Sequence, residues 1–233
     1  MISSAATNKS LHPLGRDRVR AEIVKISSET PESSLIKYAA DQIRSGEVLG
    51  MPTDTFYGLA ADPFNLRAVD RVYEIKTRSR HKPLSLLIES VDQAEEMAKS
   101  LPQEFYALAR KFWPGPLTVI VKAGSRLPLK VTANTGNVAL RVPSAKIPLA
   151  VVTAAAIPIT ATSANLSGAS ECTTAEQVRD QLQGRINIIV DGGTSPRDVA
   201  STIVDLSDET ARWRIIREGA IPADQISSFF AQG

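Results

Sequence analysis

Apolar residues recur along this chain either at helical spacing or in short continuous runs, and the two patterns alternate. After Pro31-Glu32-Ser33-Ser34, apolar residues from Leu35 to Ile43 predict a helix that ends at Gly46. The same spacing predicts further helices over 66–75, 91–99, 103–112, 147–155, 174–182 and 223–230. Short apolar runs predict strands over 47–51, 83–88, 117–121, 137–142, 158–162, 186–190, 202–206 and 213–216.

The order of these elements predicts an α/β fold. Helices and strands are interleaved, but several neighbouring strands are joined too tightly for crossover helices, so a mixed, twisted sheet flanked by helices fits best. A length of 233 residues suits one large domain or two small ones, and we expect a single domain over 21–233. Residues 1–20 are Ser-rich and basic and lack the apolar stretch of a secretory signal. They resemble a transit peptide weakly and predict a flexible N-terminal extension.

Composition narrows the class of protein. The 43% hydrophobic and 22% charged content is typical of a soluble globular domain, and a net charge of +2 means that any positive field must come from local clustering. Cys172 is the single cysteine, which excludes an intrachain disulfide and favours a reducing, cytoplasmic location. With only His12 and His81 beside it, a protein-held zinc site is not expected. No apolar run is long enough to predict a membrane span.

Positive charge concentrates between Lys76 and Lys82, where four fixed charges and a histidine fall within seven residues. One interpretation is a solvated helix end whose cations face the helix dipole. The other is an anion site: in an extended segment Lys76, Arg78 and Arg80 would point to one side and converge on a polyanion. Charge alone does not separate a nucleotide phosphate from an RNA backbone as that anion.

Polar segments follow three predicted strands, at the places where α/β sheets commonly bind ligands. They cover 52–59, 163–168 and the start of 200–205, and each by itself also fits an ordinary turn. Arg141 lies inside an apolar strand and Arg217 ends another, so each needs a partner, either a carboxylate ligand or an internal acid.

Two kinds of catalytic machinery are missing from the sequence. It contains no G-x-x-x-x-G-K-[ST] loop and no G-x-G-x-x-G turn, so any ATP must be held without them. With two histidines, it offers no defensible Ser/His/Asp or Cys/His arrangement.

The polar segments and the basic run, taken in order, resemble the YrdC/Sua5 family of threonylcarbamoyl-AMP synthases. The resemblance covers about residue 25 to residue 225, and the length is similar to that of the single-domain YrdC form. The matching motifs are Pro52-Thr53-Asp54-Thr55…Tyr57-Gly58-Leu59, Lys76-x-Arg78…Lys82-Pro83-Leu84, Ser163-Ala164-Asn165-x-Ser167-Gly168, Ser201-Thr202-Ile203-Val204-Asp205 and Arg217-x-Gly219.

This resemblance implies a fold like that of dihydroxybutanone-phosphate synthase, with a basic concave groove. It implies that L-threonine, bicarbonate and ATP, with Mg²⁺, give threonylcarbamoyl-adenylate and pyrophosphate. A threonylcarbamoyl-transferase complex would then move the group onto adenosine 37 of tRNA.

The resemblance also assigns roles to residues. The catalytic residues would be Lys76, Arg78, Ser163 and Asn165. The ATP-binding residues would be Lys76, Arg80, Asn137, Ser163 and Arg217. The threonine-binding residues would be Thr53, Ser85, Arg141 and Ser201, with Arg141 pairing the carboxylate.

Two positions depart from the family pattern. Glu218 stands where proline is common, and Glu171-Cys172 replaces the frequent Ser-Pro. A carboxylate near a triphosphate is unfavourable unless it points outward or meets the magnesium ion.

Two alternatives stay open at this point. One is a module that binds double-stranded RNA or tRNA, which would lose affinity steeply with salt. The other is a YciO-type paralogue with another substrate. Weak binding of tRNA or double-stranded RNA is also expected of the synthase.

Overall fold

The fold is that of a computed structural model, which describes residues 21–196, 199–208 and 210–231. The predicted extension over 1–20 lies outside the described residues. The helices are α1 (Ser33–Arg44), α2 (Leu66–Lys76), α3 (Val91–Met97), α4 (Gln103–Phe112), α5 (Leu129–Thr132), α6 (Lys146–Ala155), α7 (Ala175–Gln181) and α8 (Ala223–Ala231). The strands are β1 (Glu22–Lys25), β2 (Leu49–Met51), β3 (Gly58–Ala60), β4 (Ser85–Leu87), β5 (Leu117–Lys122), β6 (Asn137–Arg141), β7 (Ile159–Thr160), β8 (Thr162–Ser163), β9 (Ile188–Asp191), β10 (Thr202–Asp205) and β11 (Arg214–Arg217).

The strands form two mixed sheets where the sequence predicted one. The first has the order β1-β9-β2-β3-β8, with β1, β9 and β2 parallel and the remaining pairs antiparallel. The second has the order β11-β10-β5-β6-β4-β7, in which β10 is parallel to β5 and β4 is parallel to β6. The prediction of an α/β fold with mixed pairing is confirmed.

Helix α2 shows how local sequence sets an element that leads into the site. The Asn65 side chain caps its N-terminus by accepting from the amides of Arg67 and Ala68 at 3.1 and 3.2 Å. The face carrying Val69 and Val72 is fully buried. The helix ends because Thr77 takes a left-handed conformation with φ of 52°, which turns the basic run away from the helix axis.

The predicted strand over 158–162 is two strands in the structure. β7 pairs with β4 in the second sheet, whereas β8 pairs with β3 in the first. The chain therefore crosses between the sheets at Ala161, and Ser163 ends β8 directly before the next loop. β1, β3 and α5 were not predicted.

Two apolar cores support the sheets. The smaller core joins α1, α6 and the first sheet through residues such as Ile43, Val151 and Ile188. The larger core includes buried residues of α2, α4, β5 and β6, among them Phe105 and Leu140. No helix within the described ranges is long and apolar enough to span a membrane.

Candidate active site

A cavity of about 380 Å³ lies where the polar segments meet. The loop after β2, the basic run after α2, β4, β6, the loop after β8, and the ends of β10 and β11 all contribute to its wall. The structure thus brings together segments that are far apart in the sequence.

All four residues predicted to bind threonine line this cavity. Thr53 donates to the backbone oxygen of Phe56 at 2.7 Å, and Ser85 donates to that of Ala161 at 3.3 Å. The four lining residues are Thr53, Ser85, Arg141 and Ser201. The Ser85 hydroxyl, held by this one bond, can still accept a hydrogen bond from a bound ligand, whereas Thr53 Oγ1 already accepts from the Thr55 amide at 3.1 Å.

Arg141 is neutralised from within the protein. Its guanidinium forms an ion pair with Asp54, and the two side chains are only 8% and 5% exposed. Arg141 also donates from Nη1 to Thr55 Oγ1 at 3.1 Å and from Nε to the backbone oxygen of Gly115 at 3.0 Å. Ser144 donates to the second Asp54 oxygen at 2.9 Å. Of the two partners that the sequence left open, the internal acid is present.

Ser201 and Arg217 form one hydrogen-bonded unit. Arg217 donates from Nε and Nη2 to the backbone oxygen of Ser201 at 3.1 and 2.8 Å, and from Nη2 to its hydroxyl at 3.2 Å. The Ser201 and Thr118 hydroxyls lie 2.8 Å apart. Burial lowers the pKa of the Arg217 guanidinium, an effect that Glu171 partly offsets. Both residues line the cavity, so these hydrogen bonds connect a residue expected to bind threonine, Ser201, to one expected to bind ATP, Arg217.

Lys76 is buried, with 2% of its surface exposed, and it is not among the cavity-lining residues. Its ammonium group binds the loop after β8, donating to the backbone oxygens of Ser163 and Asn165 and to Asn165 Oδ1. Burial, reinforced by the charge of Arg78, lowers the pKa of Lys76 to about 8. In this structure Lys76 holds the loop that carries Ser163.

Arg78 and Arg80 point in different directions, so the predicted convergence of Lys76, Arg78 and Arg80 is wrong. The segment after Thr77 is a turn and not an extended strand. Arg78 lines the cavity and is held by the backbone oxygens of Lys82 and Pro83 at 3.3 and 3.0 Å. Arg80 is exposed outside the cavity lining, where it pairs with Asp70.

Of the two predicted asparagines, neither lines the cavity. Asn165 is buried and donates to the backbone oxygen of Ala169 at 2.6 Å, while its Oδ1 accepts from Ser163 at 2.7 Å. Asn137 begins β6, on the strand face that also carries Ala139 and Arg141. Its Oδ1 is buried with no hydrogen-bond partner among the described residues.

Several lining residues were not assigned from the sequence. Thr55 and Thr118 support Arg141 and Ser201, and Asp54 neutralises Arg141 from just behind the wall. Glu171 also lines the cavity, so the departure from the family pattern brings a carboxylate to the site. The signal for Asp54 was the buried Arg141, which needed either a carboxylate ligand or an internal acid.

The lining of the cavity carries more positive than negative side chains. Its lining includes Arg78, Lys82, Arg141 and Arg217 against one carboxylate, that of Glu171. Since Asp54 offsets Arg141, three cations and one acid are left to act on a ligand. Such a surface favours an anionic ligand.

The chain is similar to known proteins over most of its length. The family model Sua5_yciO_yrdC, described as "Telomere recombination", matches residues 41–219. Threonylcarbamoyl-AMP synthase of Pyrococcus abyssi is 36% identical over 206 residues, which cover 88% of this chain and 59% of that protein. The Bacillus subtilis enzyme of the same name is 38% identical over 205 residues, covering 88% and 58%.

A solved structure agrees with these relatives. The crystal structure of P. abyssi Sua5 complexed with L-threonine superposes with a TM-score of 0.85 at 36% identity, covering 89% of this chain and 60% of that one. The chain therefore spans about three fifths of the length of these two relatives. Because the family model matches residues 41–219, well over half of the chain, and these relatives align with 88% of it, the chain belongs to the Sua5/YciO/YrdC family.

Proposed function

We propose that this protein is a threonylcarbamoyl-AMP synthase, a nucleotidyltransferase that joins L-threonine, bicarbonate and ATP. The observation that carries the proposal is the convergence of hydroxyl groups and guanidinium groups on one cavity. Thr53, Ser85 and Ser201 offer neutral hydrogen-bonding groups for an amino acid, while Arg78 and Arg217 offer charge for phosphates. The relatives that carry this name match 88% of the chain.

The proposed chemistry needs positioning more than a protein nucleophile. The threonine amine and bicarbonate form a carbamate with loss of water. A carbamate oxygen then attacks the α-phosphorus of ATP, and the bond to pyrophosphate breaks. Two anions must be held together during this step, so fixed cations that offset their repulsion supply the main catalytic effect.

We assign the cations to different tasks. Asp54 already neutralises Arg141, so Arg141 would orient the threonine carboxylate mainly by hydrogen bonding. Arg78 and Arg217 form no ion pair among the described residues, and they would neutralise the triphosphate. Ser163 lies beside them on the wall. Lys76 and Asn165 would act by fixing the loop that carries Ser163.

Magnesium would enter with ATP. The described residues contain no group of three or more His, Cys, Asp or Glu side chains suited to a metal ion. Mg²⁺ in nucleotide sites is commonly held by substrate phosphates with one or two carboxylates, and Glu171 on the cavity wall fits that requirement. The positive charge of Mg²⁺ would offset the negative charge of the phosphates.

The chemistry of the proposed product determines which kind of enzyme must receive it. Threonylcarbamoyl-adenylate is a mixed anhydride, so it must pass to an enzyme that transfers its acyl group to an amine. We propose the threonylcarbamoyl-transferase complex that modifies tRNA adenosine 37, in the cytoplasm. Direct binding of tRNA or double-stranded RNA would use the positive side chains at the cavity mouth.

A substrate-omission assay tests the proposal. Purified protein with L-threonine, bicarbonate, ATP and Mg²⁺ is expected to release pyrophosphate, and omission of threonine is expected to stop the release. A coupled phosphate assay after pyrophosphatase treatment measures it. Release that continues without threonine, or no release with all substrates, would rule the assignment out.

A further inference from the structure

A second crevice, of about 320 Å³, lies at the carboxyl ends of parallel strands in the first sheet. Its wall includes Ser28 and Glu29 in the loop that follows β1, Pro52 directly after β2, and Gly192 directly after β9. These three strands are parallel neighbours. Ligands of α/β proteins commonly bind outside the carboxyl ends of such strands.

The N-terminus of α6 also faces this crevice. Ala145 stands at the N-cap and makes no side-chain cap hydrogen bond, and Lys146 and Ile147 supply the first two helical amides. Uncapped amides at a helix N-terminus carry partial positive charge and bind anions. This feature alone does not define a site, because an exposed helix end is also satisfied by water.

A buried hydroxyl without a protein partner is a second, independent feature of the crevice. Ser195 lines the crevice and is 7% exposed, yet its Oγ has no hydrogen-bond partner among the described residues. A buried polar group without a partner costs free energy, so it calls for a ligand or an ordered water. The backbone of Ser195 is fixed, since its amide donates to the Thr173 oxygen at 2.8 Å.

The loop that carries Ser195 is also held from the inside. The Tyr57 hydroxyl donates to the backbone oxygen of Gly193 at 2.6 Å and accepts from the amide of Gly192 at 3.3 Å. The crevice wall is therefore positioned by contacts that do not depend on a ligand.

The ion pair between Lys146 and Glu29 at this crevice can open to admit an anion. Lys146 Nζ donates to the backbone oxygen of Glu29 at 2.8 Å and lies 3.4 Å from its carboxylate. The two side chains are 58% and 85% exposed, and exposed ion pairs of this kind contribute little stability. An incoming anion can therefore displace the Glu29 carboxylate from Lys146.

We propose that this crevice is a second site, separate from the main cavity, that binds a small oxyanion of the size of phosphate or bicarbonate. The ligands would be the α6 amides, the Lys146 ammonium group and the Ser195 hydroxyl. Thr53 lines both spaces, and Ser144 lines the crevice while donating to Asp54, the partner of Arg141. Occupancy of the crevice is thereby linked to the main cavity by direct contacts.

Amide chemical shifts measured during anion titrations test this site. Sodium phosphate, and in a second arm sodium bicarbonate, is titrated into ¹⁵N-labelled protein at constant ionic strength. Saturable shifts are expected for the amides of Lys146, Ile147 and Ser195. Lys146→Gln should raise the dissociation constant for phosphate or bicarbonate roughly fivefold to tenfold, because it removes a positive charge. Glu29→Gln should lower that constant roughly twofold to fivefold, because it removes the competing carboxylate.

The outcomes separate clearly. Saturation by bicarbonate alone would identify the substrate oxyanion as the occupant, and saturation by phosphate would identify an independent phosphate site. Saturation in the wild type with equal constants in both variants, or no saturable shift with either anion, would overturn the proposal. Both substitutions are at exposed side chains, so the variants are expected to fold, and the result does not depend on catalytic activity.

Discussion

Asp54→Asn is expected to lower the free energy of unfolding by about 3 kcal/mol and to raise the KM for threonine. The substitution keeps the side-chain shape but removes the negative charge that neutralises Arg141, which is 8% exposed. A buried guanidinium without its acid carries an uncompensated desolvation cost. Urea denaturation measures the stability, and the threonine dependence of pyrophosphate release measures the KM.

A double variant separates the two effects. In Asp54→Asn/Arg141→Gln both charges are absent, so most of the lost stability should return, while the threonine KM should stay high. Additive losses in the double variant would show that the ion pair of Asp54 and Arg141 does not couple the two residues. A threonine KM equal to that of the wild type in the double variant would show that Arg141 does not bind threonine.

Lys76→Met is expected to reduce turnover by at least about a hundredfold and also to destabilise the protein by about 2 to 4 kcal/mol. From the sequence alone, Lys76 was assigned to ATP. The structure adds a second consequence, because the ammonium group satisfies the buried oxygens of Ser163 and Asn165. Without it, these acceptors lose their donor and the loop beside the cavity shifts.

Lys82→Met provides the matched control for this variant. Lys82 lines the cavity, which Lys76 does not, and it carries the same charge, but it is exposed and its side chain holds no loop. The free energy of unfolding of the Lys82→Met variant should differ from that of the wild type by less than about 0.5 kcal/mol. If Lys76→Met were as stable as Lys82→Met, the loop-positioning role of Lys76 would be wrong.

The sequence predicted the well-buried elements best. The apolar run over 117–121 is strand β5, and the helical pattern over 66–75 is helix α2, ending one residue later. Prediction from the sequence failed where a strand is short or where neighbouring residues pair with different sheets. β3 is three residues long and starts with Gly58, and the run over 158–162 divides between two sheets, which no local pattern encodes.

The candidate site was predicted in part. The motif order located the threonine-binding set, all of which lines the cavity, as do Arg78, Ser163 and Arg217. The direction of Arg80 could not be predicted, because it depends on the left-handed conformation of Thr77, which a threonine rarely adopts. Lys76 lies in the last turn of helix α2, and only the fold brings Ser163 and Asn165 to its ammonium group. The sequence left the partner of Arg141 open between a carboxylate ligand and an internal acid, and only the fold brings Asp54 to it.

Detection of the adenylate product tests the proposed activity most directly. The protein is incubated with ¹³C-bicarbonate, L-threonine, ATP and Mg²⁺, and the quenched mixture is analysed at once by mass spectrometry. We predict an adenylate that contains threonine and one ¹³C-labelled carbonyl carbon, formed in parallel with pyrophosphate. Pyrophosphate release without this labelled adenylate, or an adenylate that lacks the labelled carbon, would contradict the proposed function.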